Sequence, residues 1–164
     1  MSNAQQAIEA EIPYLRRYAL LLLRDRDAAD DLVQDTLERA LLRLHTCNEQ
    51  VRLRPWLFAI LYNRFVSDYR KRVRENAVTE AGDLPENGVA AQEDRVALRE
   101  LERAPWQLPE DQRVALLLVG MEGMSYEEAA SVLDVPVGTL RSRLSRGRRS
   151  LRLRLEGQSA EPRV

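Results

Sequence analysis

The stretch from Thr139 to Leu155 holds the residues of this sequence that are best suited to bind a charged ligand. It contains seven arginines and no acidic residue. A guanidinium group offers a planar fork of hydrogen-bond donors that matches phosphate oxygens and the edge of guanine. A solvated basic face is the alternative explanation for such a charge run. The composition therefore indicates a polyanion as ligand, provided that the surrounding elements hold the arginines on one side.

The elements around the arginines have the pattern of a helix-turn-helix. Ser125 and Glu128 have the spacing of a capping box, which would open a short helix that runs to about Leu133. Residues 134–136, Asp-Val-Pro, predict a turn, and a last helix follows from about 137 to 155. Because these features occur together with the arginines, they favour DNA binding over a solvated basic face.

The last predicted helix has a narrow apolar seam with polar side chains opposite. At about 100° per residue, the leucines at 140, 144 and 151 share this seam with Gly147. In a helix-turn-helix, early residues of the second helix contact base edges in the major groove, and later residues contact phosphates. We predict base contacts from Arg141, Ser142, Ser145 and Arg146, backbone contacts from Arg148 and Arg149, and a flanking contact from Arg143.

A third predicted helix, with Pro55 in its first turn and an end near Arg74, combines an apolar face with a second cationic face. The apolar face comprises Leu57, Phe58, Leu61, Tyr62, Phe65, Val66, Tyr69 and Val73. The opposite face comprises Trp56, Ile60, Asn63, Arg64, Ser67, Arg70 and Lys71. Aromatic rings that stack on unpaired bases, beside cations that follow the backbone, are typical of a single-strand binding surface. Trp56 fits a core contact equally well, and Asp68 is expected to pair with Arg64 or Arg72.

The second predicted helix, with Asp27 as N-cap and an end near Leu44, has an acidic face. Its core stripe comprises Ala29, Leu32, Val33, Thr36, Leu37, Ala40 and Leu44. The opposite side carries Asp31, Gln34, Asp35, Glu38 and Leu42. Because acidic groups repel DNA, this side fits a basic protein partner, with an ordinary solvated face as the alternative.

Helical periodicity dominates the whole chain and no alternating strand pattern appears, so we predict an all-α fold of two small helical domains. The first helix, from about Ala7 to Arg24, has one apolar stripe that comprises Ile8, Leu15, Tyr18 and Leu22. From Asn76 to about Gln92, Gly, Pro, Asn, Ala and acids without periodicity indicate a flexible acidic linker.

The helical pattern resumes near Glu93, and Gly120 and Gly123 are expected to break it. Ser2 to Ala4 are typical of a remnant of cloning and are set aside. The predicted organisation is a domain at 5–75, the linker at 76–92, a domain at 93–156 and a disordered tail at 157–164.

Several classes of protein are disfavoured by what the sequence lacks. The single cysteine, Cys47, excludes an internal disulfide framework and fits a reducing cytoplasm. No segment approaches the roughly 20 apolar residues of a membrane span, and the start has no signal-peptide pattern. His45, the sole histidine, and Cys47 supply only two of four zinc ligands. We therefore expect a cytoplasmic protein without membrane insertion, catalytic residues, metal, cofactor or small-molecule substrate.

Six short stretches of the sequence resemble, in their order along the chain, regions of one known family. Residues 30–37, Asp-Asp-Leu-Val-Gln-Asp-Thr-Leu, resemble region 2.2 of RNA polymerase sigma factors, and residues 54–58 and 63–72 resemble regions 2.3 and 2.4. Motifs similar to region 4 of the extracytoplasmic-function (ECF) sigma factors occur at residues 108–113, 125–130 and 137–144. The resemblance implies a non-enzymatic factor that binds core RNA polymerase, directs transcription initiation at particular promoters in a stress response, and is controlled by an anti-sigma factor.

The resemblance also implies residue roles. The acidic face, with Asp31, Gln34, Asp35 and Glu38, would dock on the coiled coil of the polymerase β′ subunit, with the β flap as a second contact. The loop 46–54 would capture a flipped base of the −10 element. The implied −10 contacts are Trp56, Asn63, Arg64, Ser67, Arg70, Lys71 and Arg72. The implied −35 contacts are Arg141, Ser142, Arg143, Ser145, Arg146, Arg148 and Arg149. A factor of this kind would associate with the nucleoid when active.

Two other classes of protein share part of these features. A dimeric helix-turn-helix regulator with a sensory domain would bind a palindromic site, but it has no need of the cationic face of the third helix. A nuclease or recombinase would need a constellation of acids or histidines that this sequence does not offer.

Overall fold

The structure of the protein, a computed structural model, describes residues 2–48, 51–76 and 108–159. Within these ranges the chain is helical and has no strand, which confirms the predicted all-α class. Packing divides the chain into two compact units, Met1–Gly88 and Val89–Val164. The predicted linker from residue 77 onward, the helical pattern predicted from Glu93 to residue 107, and residues 160–164 of the predicted tail lie outside the described residues.

The described helices of the first unit are α1 (Asn3–Leu23), α2 (Arg26–Leu42), a 3-10 turn (Leu44–Thr46) and α3 (Leu53–Asn76). The start of α1 lies four residues earlier than the predicted Ala7. Ser2 caps this helix, because its hydroxyl accepts from the Gln5 backbone N at 3.3 Å while the Gln5 side-chain Oε1 accepts from the Ser2 backbone N at 2.8 Å. Ser2 to Ala4, which were expected to be a remnant of cloning, therefore form the cap and the first residues of this helix.

The N-cap of α2 is Asp25, so the prediction of Asp27 was wrong. The Asp25 carboxylate accepts hydrogen bonds from the backbone N of Asp27 at 3.0 Å and of Ala28 at 3.1 Å. Asp27 lies in the first turn, where a negative charge is also favourable beside the unpaired N–H groups. The helix ends at Leu42, because the chain then tightens into the 3-10 turn that contains Leu44.

The core of the first unit lies where α1, α2 and α3 meet. The predicted stripe of α1, Ile8, Leu15, Tyr18 and Leu22, is buried. The ring of Tyr18 packs against that of Phe58, with 5.2 Å between centroids. Thr36 is also fully buried, and its hydroxyl donates to the Leu32 carbonyl at 2.7 Å, which satisfies the one polar atom that this position brings into the core.

Two residues of α3 lie on the opposite side from the one predicted. Ile60, predicted on the cationic face, is only 9% exposed, and Tyr69, predicted in the core, is 52% exposed. The helix contacts both α1 and α2, so its buried arc is wider than one stripe. It is also longer than α2, 24 residues against 17, and Tyr69 lies near its far end. The predicted burial of Val73 lies outside the side chains that the structure describes.

The described helices of the second unit are α4 (Glu110–Leu116) with a π-helical turn (Leu117–Met121), α5 (Tyr126–Leu133) and α6 (Val137–Ser159). Gly120 lies inside the π turn, so it does not break the helix as predicted. Gly123 does, with φ at +65°, a conformation that glycine adopts without strain. The last helix continues past the predicted end at Leu155, and it includes residues 157–159 of the predicted tail.

The second unit packs α6 closely against α4. Leu140, Leu144 and Gly147 of the predicted seam are buried. A Cβ atom at Gly147 would lie 2.7 Å from Leu116 Cδ1, so glycine permits the close approach of the two helices at this point. The opposite side of α6 is thereby left facing outward.

None of the described helices is long and apolar enough to cross a membrane.

Candidate nucleic-acid and protein interfaces

A capped helix, a tight turn and a long second helix form the helix-turn-helix at α5 and α6. The Ser125 hydroxyl accepts from the Glu128 backbone N at 3.1 Å, the N-cap that the sequence predicted. Asp134 adopts a left-handed conformation with φ at +53°, and the Val135 N–H donates to the Ala130 carbonyl at 3.0 Å. The turn therefore closes on the end of α5 and directs the chain into α6.

Six of the seven residues predicted to bind the −35 element are exposed on α6, namely Arg141, Ser142, Ser145, Arg146, Arg148 and Arg149. Arg143 differs from them. Its side chain is 23% exposed, and its Nε lies 3.7 Å from Oδ2 of Asp111 in α4. The Ser142 hydroxyl donates to the Gly138 carbonyl at 3.1 Å, which leaves its oxygen able to accept from a ligand. The structure thus brings six predicted residues together and turns the seventh toward α4.

A cleft of about 470 Å³ on this surface includes two residues that the sequence analysis missed, Tyr126 and Arg152. Tyr126 is the first residue of α5, and its hydroxyl accepts a hydrogen bond from Arg148 Nη1 at 3.2 Å. The guanidinium carbon of Arg141 lies 5.9 Å from the Tyr126 ring centroid. Arg152 follows Arg148 by one helical turn, a spacing that could have identified it.

On α3, most of the residues predicted to contact the −10 element are exposed, namely Asn63, Ser67, Arg70, Lys71 and Arg72. Trp56 is half-buried, which fits both of the alternatives left open for it. An amide, a hydroxyl and three cations on the middle and second half of this helix are therefore accessible.

Arg64, the remaining predicted −10 contact, is held by acidic groups. Its Nε lies 2.8 Å from Oδ2 of Asp35 in α2, and its Nη2 lies 3.4 Å from Oδ1 of Asp68 one turn along α3. The pairing with Asp68 confirms one of the two partners that the sequence predicted. The pairing with Asp35 joins a residue predicted to bind DNA to a residue predicted to bind the polymerase.

The acidic face of α2 is mostly accessible. Asp31, Gln34 and Glu38 are exposed, and Gln34 Nε2 donates to Glu38 Oε1 at 3.4 Å. Leu42 is 78% exposed at the end of the helix. Asp35 is the exception, because it is half-buried and its Oδ2 also accepts from Arg39 Nε at 3.1 Å. This face combines accessible acids with an exposed apolar side chain, a composition that suits a basic protein partner.

The start of α3, next to the loop that was predicted to capture a base, is tied to α1. Arg54 Nε lies 2.7 Å from Glu11 Oε2, and Arg54 Nη2 lies 3.4 Å from Glu11 Oε1. The Arg54 guanidinium carbon also lies 4.1 Å from the centroid of the Tyr14 ring. Residues 49–50 of that loop lie outside the described residues.

Within the part of the chain that the structure describes, no group of three or more His, Cys, Asp or Glu side chains could hold a metal ion.

Two family models match the chain. The model described as the Sigma2 domain of PhyR matches residues 8–62, and the model described as Sigma-70, region 4, matches residues 98–151. The first match covers most of α1, the whole of α2 and the start of α3, and the second contains the whole of α4 and α5 and most of α6.

Known relatives and solved structures extend this similarity over most of the chain. The ECF RNA polymerase sigma factor EcfG of Rhodopseudomonas palustris (strain TIE-1) is 44% identical over 157 residues, which cover 94% of this chain and 86% of the relative. SigM of Bacillus subtilis (strain 168), also an ECF sigma factor, is 30% identical over 139 residues, 83% of this chain and 85% of the relative. The sigma factor RpoE from Bartonella quintana, solved in complex with the anti-sigma factor NepR, is 37% identical with a TM-score of 0.83, covering 93% of this chain and 96% of that one. With both sigma regions matched in order and this degree of identity, the chain belongs to the ECF RNA polymerase sigma factors.

Proposed function

We propose that this sigma factor uses three surfaces to start transcription at particular promoters. The outward side of α6 binds the −35 element as duplex, the exposed residues of α3 bind the −10 element, and the acidic face of α2 docks on core RNA polymerase. The observation that carries this proposal is the set of six exposed polar side chains on α6, four of them arginines, opposite a buried leucine seam.

The role of each α6 residue follows from its position along the helix. Arg141, Ser142, Ser145 and Arg146 lie in the first turns, where a second helix meets base edges, and Arg148 and Arg149 lie where it meets phosphates. Tyr126 and Arg152 extend the phosphate-binding side of the cleft. Arg143 acts mainly within the domain, through Asp111.

The partner of the acidic face is a basic surface of the polymerase, for which we propose the β′ coiled coil, with the β flap as a second contact. Exposed Asp31, Gln34 and Glu38 supply charge and hydrogen-bond acceptors, and Leu42 supplies an apolar contact. Opposite charges on the two surfaces would steer their association and set its orientation.

An anti-sigma factor of the NepR type is the proposed regulator. Two findings support this partner, namely the similarity to RpoE solved with NepR and the match of the first domain to the Sigma2 domain of PhyR. PhyR of Bartonella quintana is described as an anti-anti-sigma factor and has itself been solved with NepR. We further propose that the protein has no catalytic activity and works in the cytoplasm, at the nucleoid when active.

The domain limits follow from the same proposal. Residues 5–75 would form most of sigma region 2, whose first helix begins at Asn3, and residues 93–156 would form most of sigma region 4, whose last helix continues to Ser159. Residues 77–92 would belong to the acidic linker and residues 160–164 to the tail.

A reconstituted transcription assay tests this function. Purified core polymerase with the full-length protein should produce transcripts from promoters that core polymerase alone ignores. A dimeric helix-turn-helix regulator would instead require a housekeeping sigma factor in the reaction. Transcription that depends on such an added factor, with none from core polymerase and this protein alone, would refute the proposal.

A further inference from the structure

The pair formed by Asp35 and Arg64 connects two surfaces that the proposed function uses for different partners. Asp35 lies on the docking helix α2, and Arg64 lies on the DNA-binding helix α3. Oδ2 of Asp35 forms ion pairs with two guanidinium groups at once, with Arg64 Nε at 2.8 Å and with Arg39 Nε at 3.1 Å. The single negative charge of Asp35 is therefore already shared between two cations of the same chain.

Both side chains of this pair are accessible enough to exchange partners. Arg64 is 35% exposed and Asp35 is 32% exposed, so water and an incoming side chain can reach them. An ion pair with this exposure contributes little free energy, because solvent screens it. A basic group on a docking partner can therefore displace Arg64 from Asp35 at small cost.

We propose that Arg64 and the docking partner compete for Asp35, so that Arg64 weakens docking on the polymerase in the free protein and is released toward DNA when docking occurs. This inference rests on the proposed docking of α2 and DNA binding of α3. In the free protein Arg64 neutralises Asp35. In the docked protein a polymerase cation takes that position, and the guanidinium of Arg64 turns toward the surface of Ser67 and Lys71, which lie on the same side of α3.

The magnitude of the effect follows from the exposure of the pair. Exposed ion pairs contribute about 0.2 to 1 kcal/mol, and 1.4 kcal/mol corresponds to a tenfold change in an equilibrium constant. Removal of Arg64 should therefore strengthen docking by about 1.4- to fivefold. The direction of this change is informative, because loss of a residue that merely supports the fold would weaken docking or leave it unchanged.

The test measures the affinity of the full-length protein for core polymerase with Arg64→Gln. The matched control is Arg74→Gln, which makes the same charge change on an exposed position about 15 Å further along α3, ten residues at about 1.5 Å each. Arg64→Gln should bind core polymerase about 1.4 to five times more tightly than the unaltered protein, while Arg74→Gln should bind as tightly as the unaltered protein does. Arg64→Met, which keeps an apolar stem of similar length, should behave as Arg64→Gln does if packing is not the cause.

Promoter binding by the resulting holoenzyme supplies the second measurement. Arg64→Gln should reduce the magnitude of the negative slope of log affinity against log salt for single-stranded −10 DNA by about 0.7, as loss of one phosphate contact does. The competition is overturned if Arg64→Gln binds core polymerase no more tightly than Arg74→Gln does. If the unaltered, folded protein does not bind core polymerase, the proposed docking function is refuted. If the unaltered protein binds but Arg64→Gln does not bind more tightly, only the competition is refuted.

Discussion

The Tyr126 hydroxyl accepts a hydrogen bond from Arg148 Nη1 at 3.2 Å, which joins the first residue of α5 to the middle of α6. A free arginine side chain loses much rotamer freedom when it binds a phosphate. Because Tyr126 already restrains Arg148, part of that loss is incurred before DNA arrives. The first helix of the helix-turn-helix thus orients a cation on the second.

Tyr126→Phe should weaken binding to −35 duplex by roughly two- to tenfold, since one hydrogen bond contributes about 0.5 to 1.5 kcal/mol. The measurement is the duplex affinity of the full-length protein at one fixed salt concentration. Tyr14→Phe, which removes a hydroxyl from the first unit, is the control and should leave the affinity unchanged. Equal affinities for the two variants would mean that Tyr126 does not orient Arg148 for DNA.

Arg146→Ala should relax promoter choice at one base pair of the −35 element, with a loss of about 1 to 3 kcal/mol of discrimination if the guanidinium contacts a base edge. Arg143→Ala is the matched control on the same helix, because its side chain is half-buried and lies near Asp111. Competition assays with single-base variants of the promoter measure both. A larger loss of discrimination from Arg143→Ala than from Arg146→Ala contradicts the assignment.

Lys71→Gln should weaken binding of the holoenzyme to single-stranded −10 DNA in a salt-dependent way. Loss of one phosphate contact makes the negative slope of log affinity against log salt less steep by about 0.7 for a single strand. The control, Arg26→Gln, removes a cation from the exposed start of α2 and should preserve the slope. If neither variant changes the slope of log affinity against log salt, Lys71 does not contact a DNA phosphate.

Asp31→Arg should weaken association with core polymerase, because it reverses a charge at an exposed position of the acidic face. The midpoint of thermal unfolding should stay close to that of the unaltered protein, since the side chain is outside the core. Glu9→Arg reverses an exposed charge on α1 and serves as control in the same binding titration. If Glu9→Arg weakens association as much as Asp31→Arg does, the effect reflects net charge and not the docking face.

Arg54→Ala should lower the free energy of unfolding of the first unit by about 1 to 3 kcal/mol, because it removes charge-assisted hydrogen bonds to Glu11 and a stacking contact with Tyr14. Arg16→Gln breaks a comparable but exposed pair, Arg16 Nε with Asp30 Oδ1 at 3.0 Å, and should cost no more than about 1 kcal/mol. Urea unfolding of both variants gives the comparison. The expectation is wrong if Arg54→Ala is the less destabilising change.

Features that depend only on the spacing of side chains within a single helix could be predicted from the sequence. The stripes that contain Leu15 in α1 and Leu144 in α6 needed only helical spacing, and the capping serine at 125 needed only its neighbours. The N-cap of α2 was predicted wrongly as Asp27, because the carboxylate of Asp25, two residues earlier, is equally able to accept the first backbone N–H groups of the helix.

Features that depend on how helices are rotated against one another could not be predicted. Ile60 is buried, contrary to the prediction, because two helices pack on α3 and not one. Tyr69 is exposed, contrary to the prediction, because α3 is longer than its neighbour α2 and Tyr69 lies near its far end. The pairing of Asp35 with Arg64 spans 29 residues of sequence (64 − 35) and requires the relative placement of α2 and α3. Tyr126 was missed for the same reason, since its partner Arg148 lies on another helix.

The gap that Gly147 leaves for Leu116 also limits how promoter preference can change. If α6 rotated about its own axis, Arg146 or Arg148 would move toward the place where Gly147 now contacts α4. That space does not admit even a methyl group unless Leu116 is displaced. The angular register of this helix toward a duplex is consequently set by its contact with α4. New base preferences in this scaffold should arise through exchange of single outward side chains, one base pair at a time.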